Sequence, residues 1–114
     1  MVTNLQLNQL VAKFFGLDVI SYSFSHGKGY LLTKTKKDTR LIHSWTDDLV
    51  LALALPSKQI QVTSVNHPDI YVQVLGPNDL LGNEIAKSPE KLAKAIVVAW
   101  LKANNLLTEG SDEV

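Results

Sequence analysis

The chain has 114 residues, and its eleven basic Lys and Arg side chains balance eleven Asp and Glu side chains, so the formal net charge is zero. This length predicts one domain, and the neutral balance argues against a protein that binds nucleic acid through a general basic excess. The absence of cysteine excludes disulfides, Cys-ligated zinc and a Cys nucleophile. No apolar run reaches the roughly 18 residues of a transmembrane helix, and the N-terminus lacks the features of a secretion signal. We therefore expect a soluble, cytoplasmic protein with no membrane partner.

The first predicted helix spans residues 5–15. Thr3 or Asn4 can cap its start, and Gly16 provides a C-terminal stop. Five apolar side chains recur at helical spacing, namely Leu7, Leu10, Val11, Phe14 and Phe15. We expect this face to pack into the core, and a partner-binding amphipathic helix is the alternative.

Residues 18–25 and 30–35 are predicted to form the two strands of a hairpin. In the first strand, Ile20, Tyr22 and Phe24 alternate with serines, which is the pattern of a half-buried strand. The turn at residues 26–29, HGKG, contains two glycines that can take positive φ. A polar loop is the alternative. A phosphate-binding loop is not expected, because no Gly-Lys-Ser/Thr motif follows the glycines.

The densest basic stretch covers residues 34–40. A run of this kind can contact phosphates, so it defines a candidate nucleic-acid site. The residues of this candidate site are Lys28, Tyr30, Lys34, Lys36, Lys37 and Arg40, with Tyr30 as the side chain that would stack on a base. Because the whole chain is neutral, we favour a solvated loop that joins two elements and keep nucleic-acid binding as the alternative.

A second helix is predicted at residues 45–55. Ser44 and Asp47 have the spacing of a capping box, and Pro56 ends the helix. The body of this helix, LVLALAL, is apolar on all sides, so it should be covered on more than one side or be largely buried. His43 and Asp47 lie four residues apart, a spacing that can hold a metal. No third ligand is evident, and we therefore favour a cap and expect no metal.

The best predicted hairpin comprises residues 59–65 and 70–75, joined by a turn at residues 66–69. Its inward set is Ile60 and Val62 in the first strand and Ile70, Val72 and Val74 in the second. Residues 80–87 form a connection whose structure the sequence does not specify.

The clearest helix spans residues 88–105. Ser88 can cap it, and Pro89 suits the first helical position. Its apolar face comprises Leu92, Ile96, Ala99, Trp100 and Ala103, and Trp100 is therefore expected in the core. Residues 108–114 are polar and acidic, and we expect a disordered tail.

Together these elements predict an α+β fold over residues 1–107, with a mainly antiparallel sheet covered by about three helices. Three stretches resemble the phage ABA sandwich domain family: LVAKFFG at residues 10–16, HSWTDD at residues 43–48, and LAKAIVVAWLKA at residues 92–103. The resemblance implies an α/β/α sandwich in proteins of phages and their bacterial hosts. It carries no assigned catalytic residues.

The sequence contains no convincing catalytic constellation. Candidate acids and bases are scattered over predicted loops and a cap; they are His26, His43, His67, Asp47, Asp48 and Asp69. Ser44 beside His43 lacks the glycines of a nucleophile elbow. We therefore expect a non-enzymatic accessory or protein-interaction domain of phage, prophage or bacterial origin, with a protein partner and with no catalytic residue, cofactor or metal. An enzyme and a nucleic-acid-binding accessory protein are the less favoured alternatives.

Overall fold

The computed structural model describes residues 2–66 and 68–107. The predicted tail at residues 108–114 lies outside the described residues. The elements are α1 (Asn4–Phe14), β1 (Asp18–Ser25), β2 (Lys28–Lys34), β3 (Thr39–His43), α2 (Leu49–Leu53), β4 (Gln59–Asn66), β5 (Asp69–Leu75), β6 (Leu81–Ala86), a 3-10 turn (Pro89–Lys91) and α3 (Leu92–Ala103).

The strands form two antiparallel sheets of three strands each. The N-terminal sheet has the order β1-β2-β3, and the C-terminal sheet has the order β4-β5-β6. Helix α1 packs on β1 and α3, α2 packs on α3, and α3 packs on β5 and β6. The predicted α+β class, with antiparallel strands and three helices, is confirmed. None of the helices in the described part of the chain combines the length and apolar character needed to cross a membrane.

Helix α1 starts and ends one residue earlier than predicted, and Thr3, one of the two predicted caps, caps it. Thr3 Oγ1 accepts a hydrogen bond from the Gln6 backbone N–H (3.1 Å), and Gln6 Oε1 accepts one from the Thr3 N–H (2.8 Å), which completes a capping box. Leu7 and Val11 are buried in the core. The end of the apolar face is only partly covered, since Phe14 and Phe15 remain 47% and 43% exposed.

The N-terminal hairpin is confirmed, but its predicted inward set is wrong in part. Strands β1 and β2 join through a tight turn at residues 26–27. Tyr22 is half-buried, whereas Ile20 and Phe24 are exposed and Val19 is the buried residue. The physical reason at Ile20 is a register shift between Val19 and Ser21, which takes the intervening residue out of the regular alternation.

Each hairpin is extended by a third strand that the sequence did not specify. Strand β3 contains Thr39 and Arg40, so only residues 35–38 of the basic stretch form the connection to β2. Strand β6 occupies most of the connection at residues 80–87. Both strands are short, and neither alternates cleanly between apolar and polar residues.

Helix α2 is shorter than predicted, and the Ser44 cap is wrong. The helix begins after Asp48, whose Oδ1 accepts a hydrogen bond from the Leu51 backbone N–H (3.2 Å). The Asp47 N–H instead donates to the Ser44 carbonyl (3.3 Å), which closes a turn before the helix. The Ser44 hydroxyl contacts the Thr46 hydroxyl (2.8 Å) in the protein interior, so it does not cap a helix.

The expectation that α2 is covered on more than one side or largely buried is also wrong. Ala52 is buried against the rest of the core, as is Leu55 just after the helix. Three other apolar side chains of α2 remain exposed: Leu49 at 41%, Val50 at 77% and Leu53 at 47%. One side of this short helix therefore packs, while the opposite side presents apolar surface.

The buried apolar residues form two clusters, and helix α3 is the central element of the larger one. Trp100 is fully buried, as expected, and its indole N–H donates to the Pro56 carbonyl (2.8 Å). Pro89 occupies the first position of the 3-10 turn that leads into α3, but the Ser88 side chain makes no capping hydrogen bond. Beyond the helix, Asn105 has a φ of 58°, a left-handed conformation that asparagine tolerates at helix ends.

A glycine brings α3 into direct contact with β6. A Cβ atom added at Gly82 would lie 2.7 Å from the Ala103 nitrogen and 2.8 Å from the Ala99 carbonyl carbon. Real Cβ atoms do not approach backbone so closely, so only glycine permits this separation. The helix therefore packs mainly over β6 and β5.

The C-terminal hairpin is confirmed, and its predicted inward set shares one side of the sheet, but one member of the set is not buried. Val72 and Val74 are buried, and Ile60 and Ile70 are half-buried against the same core. Val62 lies directly opposite Val72 but remains 44% exposed. Its strand, β4, lies at the edge of the sheet, on the far side of β5 from β6.

Candidate functional site

A buried polar network holds the segment between β3 and α2 in place. Asn8 of α1 is fully buried, and its amide nitrogen donates to Thr46 Oγ1 (3.0 Å) and to the Asn4 carbonyl (2.8 Å). Its amide oxygen accepts the Trp45 backbone N–H (3.0 Å). Because a buried amide without partners is costly, these bonds fix the segment against α1.

Asp47 extends this network to the N-terminal sheet. Its Oδ2 accepts from the Tyr22 hydroxyl (2.7 Å) and from Thr46 Oγ1 (3.1 Å). Since the one Thr46 hydroxyl proton goes to the carboxylate, Ser44 must donate in the 2.8 Å contact with Thr46. We call the connected side chains of Asn4, Asn8, Tyr22, Ser44, Thr46 and Asp47 the Asn8 network.

The Asn8 network also changes the acidity of Tyr22. Burial raises the pKa of the Tyr22 hydroxyl above its ordinary value, because the phenolate would be poorly solvated. The hydrogen bond from Asn4 lowers the pKa, whereas the hydrogen bond to Asp47 and its negative charge raise it further. The net effect is a hydroxyl that keeps its proton and remains a donor to Asp47.

An open cleft of about 390 Å³ adjoins the network. Its lining includes Lys28 and His43 from the N-terminal sheet, Asp47 and Asp48 from the segment before α2, and Leu49 and Val50 from α2. Among the described residues, Lys28 has no carboxylate within ion-pair distance. The cleft thus offers charges of both signs beside an apolar rim.

The apolar rim continues into the exposed side of α2. We call Leu49, Val50 and Leu53 the α2 surface. These three side chains are close in sequence on a helix of five residues, so they form a compact patch of aliphatic surface. Single exposed apolar residues are common on proteins, but adjoining ones beside a cleft are typical of interaction sites.

The structure brings together only part of the candidate nucleic-acid site. Lys28, Tyr30 and Lys34 share one face of β2, because alternate residues of a strand point to the same side. Arg40 lies opposite Thr33, which is on the buried face, and its Nε contacts Asp38 Oδ2 (3.1 Å). Lys36 and Lys37 are in the connection between β2 and β3.

The candidate acids and bases are likewise divided. His43, Asp47 and Asp48 line the cleft, whereas His26 is in the β1–β2 turn, where its Nδ1 contacts the Ser25 hydroxyl (2.7 Å). Asp69 lies 3.6 Å from the Lys87 amine. His67 lies outside the described residues. Within the described ranges, no group of three or more His, Asp and Glu side chains is arranged to hold a metal ion.

Sequence reasoning missed most of the Asn8 network. The one signal was the position of Asn8 itself, three and four residues before the buried Val11 and Ala12. A polar side chain within an apolar helical stripe indicates a buried hydrogen-bonding partner. Its partners in the segment after β3 are 37 and 38 residues away, so local patterns could not identify them.

Comparisons with known proteins do not place the chain in a family. Neither family models, nor curated proteins, nor solved structures gave a match. The resemblance to the phage ABA sandwich domain family therefore stays a prediction.

The raised pKa of Tyr22 predicts a loss of stability at alkaline pH. In the interval above the ordinary tyrosine pKa of about 10, the folded protein holds a proton that the unfolded chain has released. The free energy of unfolding should therefore fall as pH rises through this interval. In chemical denaturation between about pH 8 and 11, the free energy of unfolding should decrease less steeply for Tyr22→Phe than for the unsubstituted protein.

Tyr30→Phe is the matched control, since Tyr30 lies outside the Asn8 network. Its free energy of unfolding should decrease with pH as steeply as that of the unsubstituted protein, because Tyr22 is still present. Equal pH dependence in Tyr22→Phe and the unsubstituted protein would contradict the role assigned to Tyr22.

Proposed function

We propose that this chain is a small, cytoplasmic, non-enzymatic interaction module that binds a partner protein through the α2 surface and the adjoining cleft. The observation that carries the proposal is the exposure of Leu49, Val50 and Leu53 beside a cleft with charges of both signs. The resemblance to the phage ABA sandwich domain family supports an origin in a phage, a prophage or a bacterial host.

The energetics of the α2 surface favour binding over solvent exposure. Burial of one Val or Leu side chain contributes about 1.5–3 kcal/mol, and Val50 is the most exposed of the three. A partner that covers this surface with its own apolar side chains therefore gains a small hydrophobic centre, of the kind that dominates many protein interfaces.

The charged residues of the cleft would set the orientation of the partner and the choice between partners. Lys28 supplies a positive charge from β2, and Asp48 supplies a negative charge from the segment before α2, where one of its carboxylate oxygens caps the helix. Complementary charges on a partner would fix its orientation and exclude partners with the opposite arrangement. We therefore expect a protein segment whose apolar side chains are flanked by an acidic and a basic group.

The Asn8 network prepares the site for binding. It fixes the segment that leads into α2 through side chains from both α1 and β1. A surface held in place before binding loses less conformational freedom when a partner docks. The same bonds engage one Asp47 oxygen with the Tyr22 and Thr46 hydroxyls, which favours a structural role for this carboxylate over a catalytic one.

Site-specific photo-crosslinking tests this proposal. A photoreactive amino acid at position 50 should link the chain to one reproducible partner in the source cells, and the same amino acid at position 41 should not. Leu41 is a suitable control because it is an exposed aliphatic residue of the N-terminal sheet, at 64% exposure. The purified partner should then bind Val50→Asp at least about tenfold more weakly than the unsubstituted chain, because the aspartate would have to be desolvated.

Leu41→Asp should retain full affinity, and both variants should keep the unfolding free energy within about 0.5 kcal/mol, as for surface substitutions. Crosslinks of equal yield from positions 41 and 50, or unchanged affinity in Val50→Asp, would refute the α2 surface as the binding site.

Nucleic-acid binding is the second candidate, and one observation favours it. Lys28, Tyr30 and Lys34 share the exposed side of β2, and Tyr30 lies against His43 with ring centroids 5.2 Å apart. Against it, Asp18 is the cross-strand partner of Lys34, and Arg40 is paired with Asp38. The surface therefore has few free cations for a phosphate backbone.

Fluorescence anisotropy with single- and double-stranded oligonucleotides tests the second candidate. We expect weak binding at about 50 mM salt that disappears at about 200 mM, because only a few phosphates could be neutralised. Micromolar or tighter binding that persists at the higher salt, and that is lost on combined Lys28→Ala and Lys34→Ala substitution, would make this the leading function. Lys87→Ala combined with Lys91→Ala is the control for loss of charge alone.

A further inference from the structure

The edge of the C-terminal sheet that is formed by β4 differs from the other sheet edges in the described part of the chain. The edge strands are β1, β3, β4 and β6. Three of them carry a charged residue: Asp18 in β1, Arg40 in β3 and Glu84 in β6. Strand β4, with the sequence QIQVTSVN, has eight residues and no charge.

Natural proteins protect exposed strand edges with charges, prolines or covering elements. Strand β4 has neither a charge nor a proline, and within the described residues its backbone pairs only with β5. Nearby charge is also neutralised, because Lys58, just before the strand, is paired with Asp79. The outer edge of β4 is therefore an unprotected template for another strand.

The exposed side chain of Val62 indicates that an apolar partner could cover this edge. Val62 lies directly opposite Val72, so both point to the side of the sheet on which α3 packs. Val72 is fully buried there, whereas Val62 is 44% exposed. The apolar pair formed by Val72 and Val62 thus extends to the β4 edge, where Val62 is only partly covered.

We propose that β4 pairs with β4 of a second copy of this chain, in antiparallel orientation, to form a continuous six-stranded sheet. A two-fold axis perpendicular to the sheet keeps the α3 sides of both copies on the same side. With the axis near Val62, each Val62 packs beside its counterpart, and Gln61 lies opposite Thr63 of the other copy. Every cross-strand pair in this register is uncharged, so no like charges oppose one another.

A second copy fits this edge better than the chain's own tail. Residues 108–114, TEGSDEV, contain three acidic residues and a glycine, which are types depleted in strands. The β4 sequence, in contrast, is rich in β-branched residues, and two copies of the strand can pair along their length. This dimer uses a different surface from the α2 site, so it stands independently of the proposed function.

Sedimentation velocity over about 1 µM to 1 mM protein tests the dimer. The unsubstituted chain should pass from monomer to dimer within this concentration range. Val62→Lys should weaken association at least about tenfold, because it places like charges next to each other across the two-fold axis. Leu41→Lys, the same type of change on edge strand β3, should leave association unchanged.

Amide hydrogen exchange provides a second measurement on the same samples. Protection of residues 59–64 should increase with protein concentration in the unsubstituted chain and not in Val62→Lys. A monomer at about 1 mM would overturn the proposal, as would a dimer that Val62→Lys does not weaken. Concentration-independent protection of β4 would also overturn it, because the edge would then be covered within one chain.

Discussion

The close contact between α3 and β6 is the constraint on which the other elements depend. At Gly82 the backbone of the strand lies against the backbone of the helix, near Ala99 and Ala103. Small side chains on both partners make this separation possible, and Val72 and Val74 then complete the core beneath the helix. With α3 fixed, its remaining sides receive α1 and α2.

Trp100 joins this core to the N-terminal half of the chain. The ring centroids of Trp100 and Phe14 lie 5.0 Å apart, and the two rings are nearly perpendicular. The indole N–H of Trp100 donates to the Pro56 carbonyl after α2. Phe15 in turn stacks on Trp45, with ring centroids 5.9 Å apart. Trp45 packs against the core around α3 and also against a smaller apolar cluster of Ala12, Val19 and Leu31. These aromatic contacts and the Asn8 network together determine where α2 presents its exposed side chains.

The sequence predicted the elements that have strong local signals. Thr3 was one of two predicted caps of α1, and the periodicity of α3 identifies Trp100 as a core residue. Local signals failed where tertiary contacts decided the outcome. Ser44 has the spacing of a helix cap, but its hydroxyl contacts Thr46 in the interior, and Asp48 caps the helix in its place. The exposure of α2 was missed because an apolar sequence alone does not specify which of its sides will be covered.

The candidate site was only partly predictable for the same reason. His43, Asp47 and Asp48 were recognised as titratable residues, but their common cleft with Lys28 depends on the pairing of β2 with β3. The partners of Asn8 lie far away in sequence, so only the fold brings them together. The exposure of Val62 likewise depends on the position of α3 over β5 and β6, which no local pattern encodes.

The unfolding free energy of Gly82→Ala tests the central claim most directly. If α3 rests on β6 as described, the added methyl group must push the helix backbone away, and we expect a loss of at least about 2 kcal/mol. In a strand with free space above it, the same change would be neutral or would stabilise by about 0.4–1 kcal/mol, because it restricts the unfolded chain. An unchanged or increased unfolding free energy, measured by chemical denaturation, would therefore contradict this account of the fold.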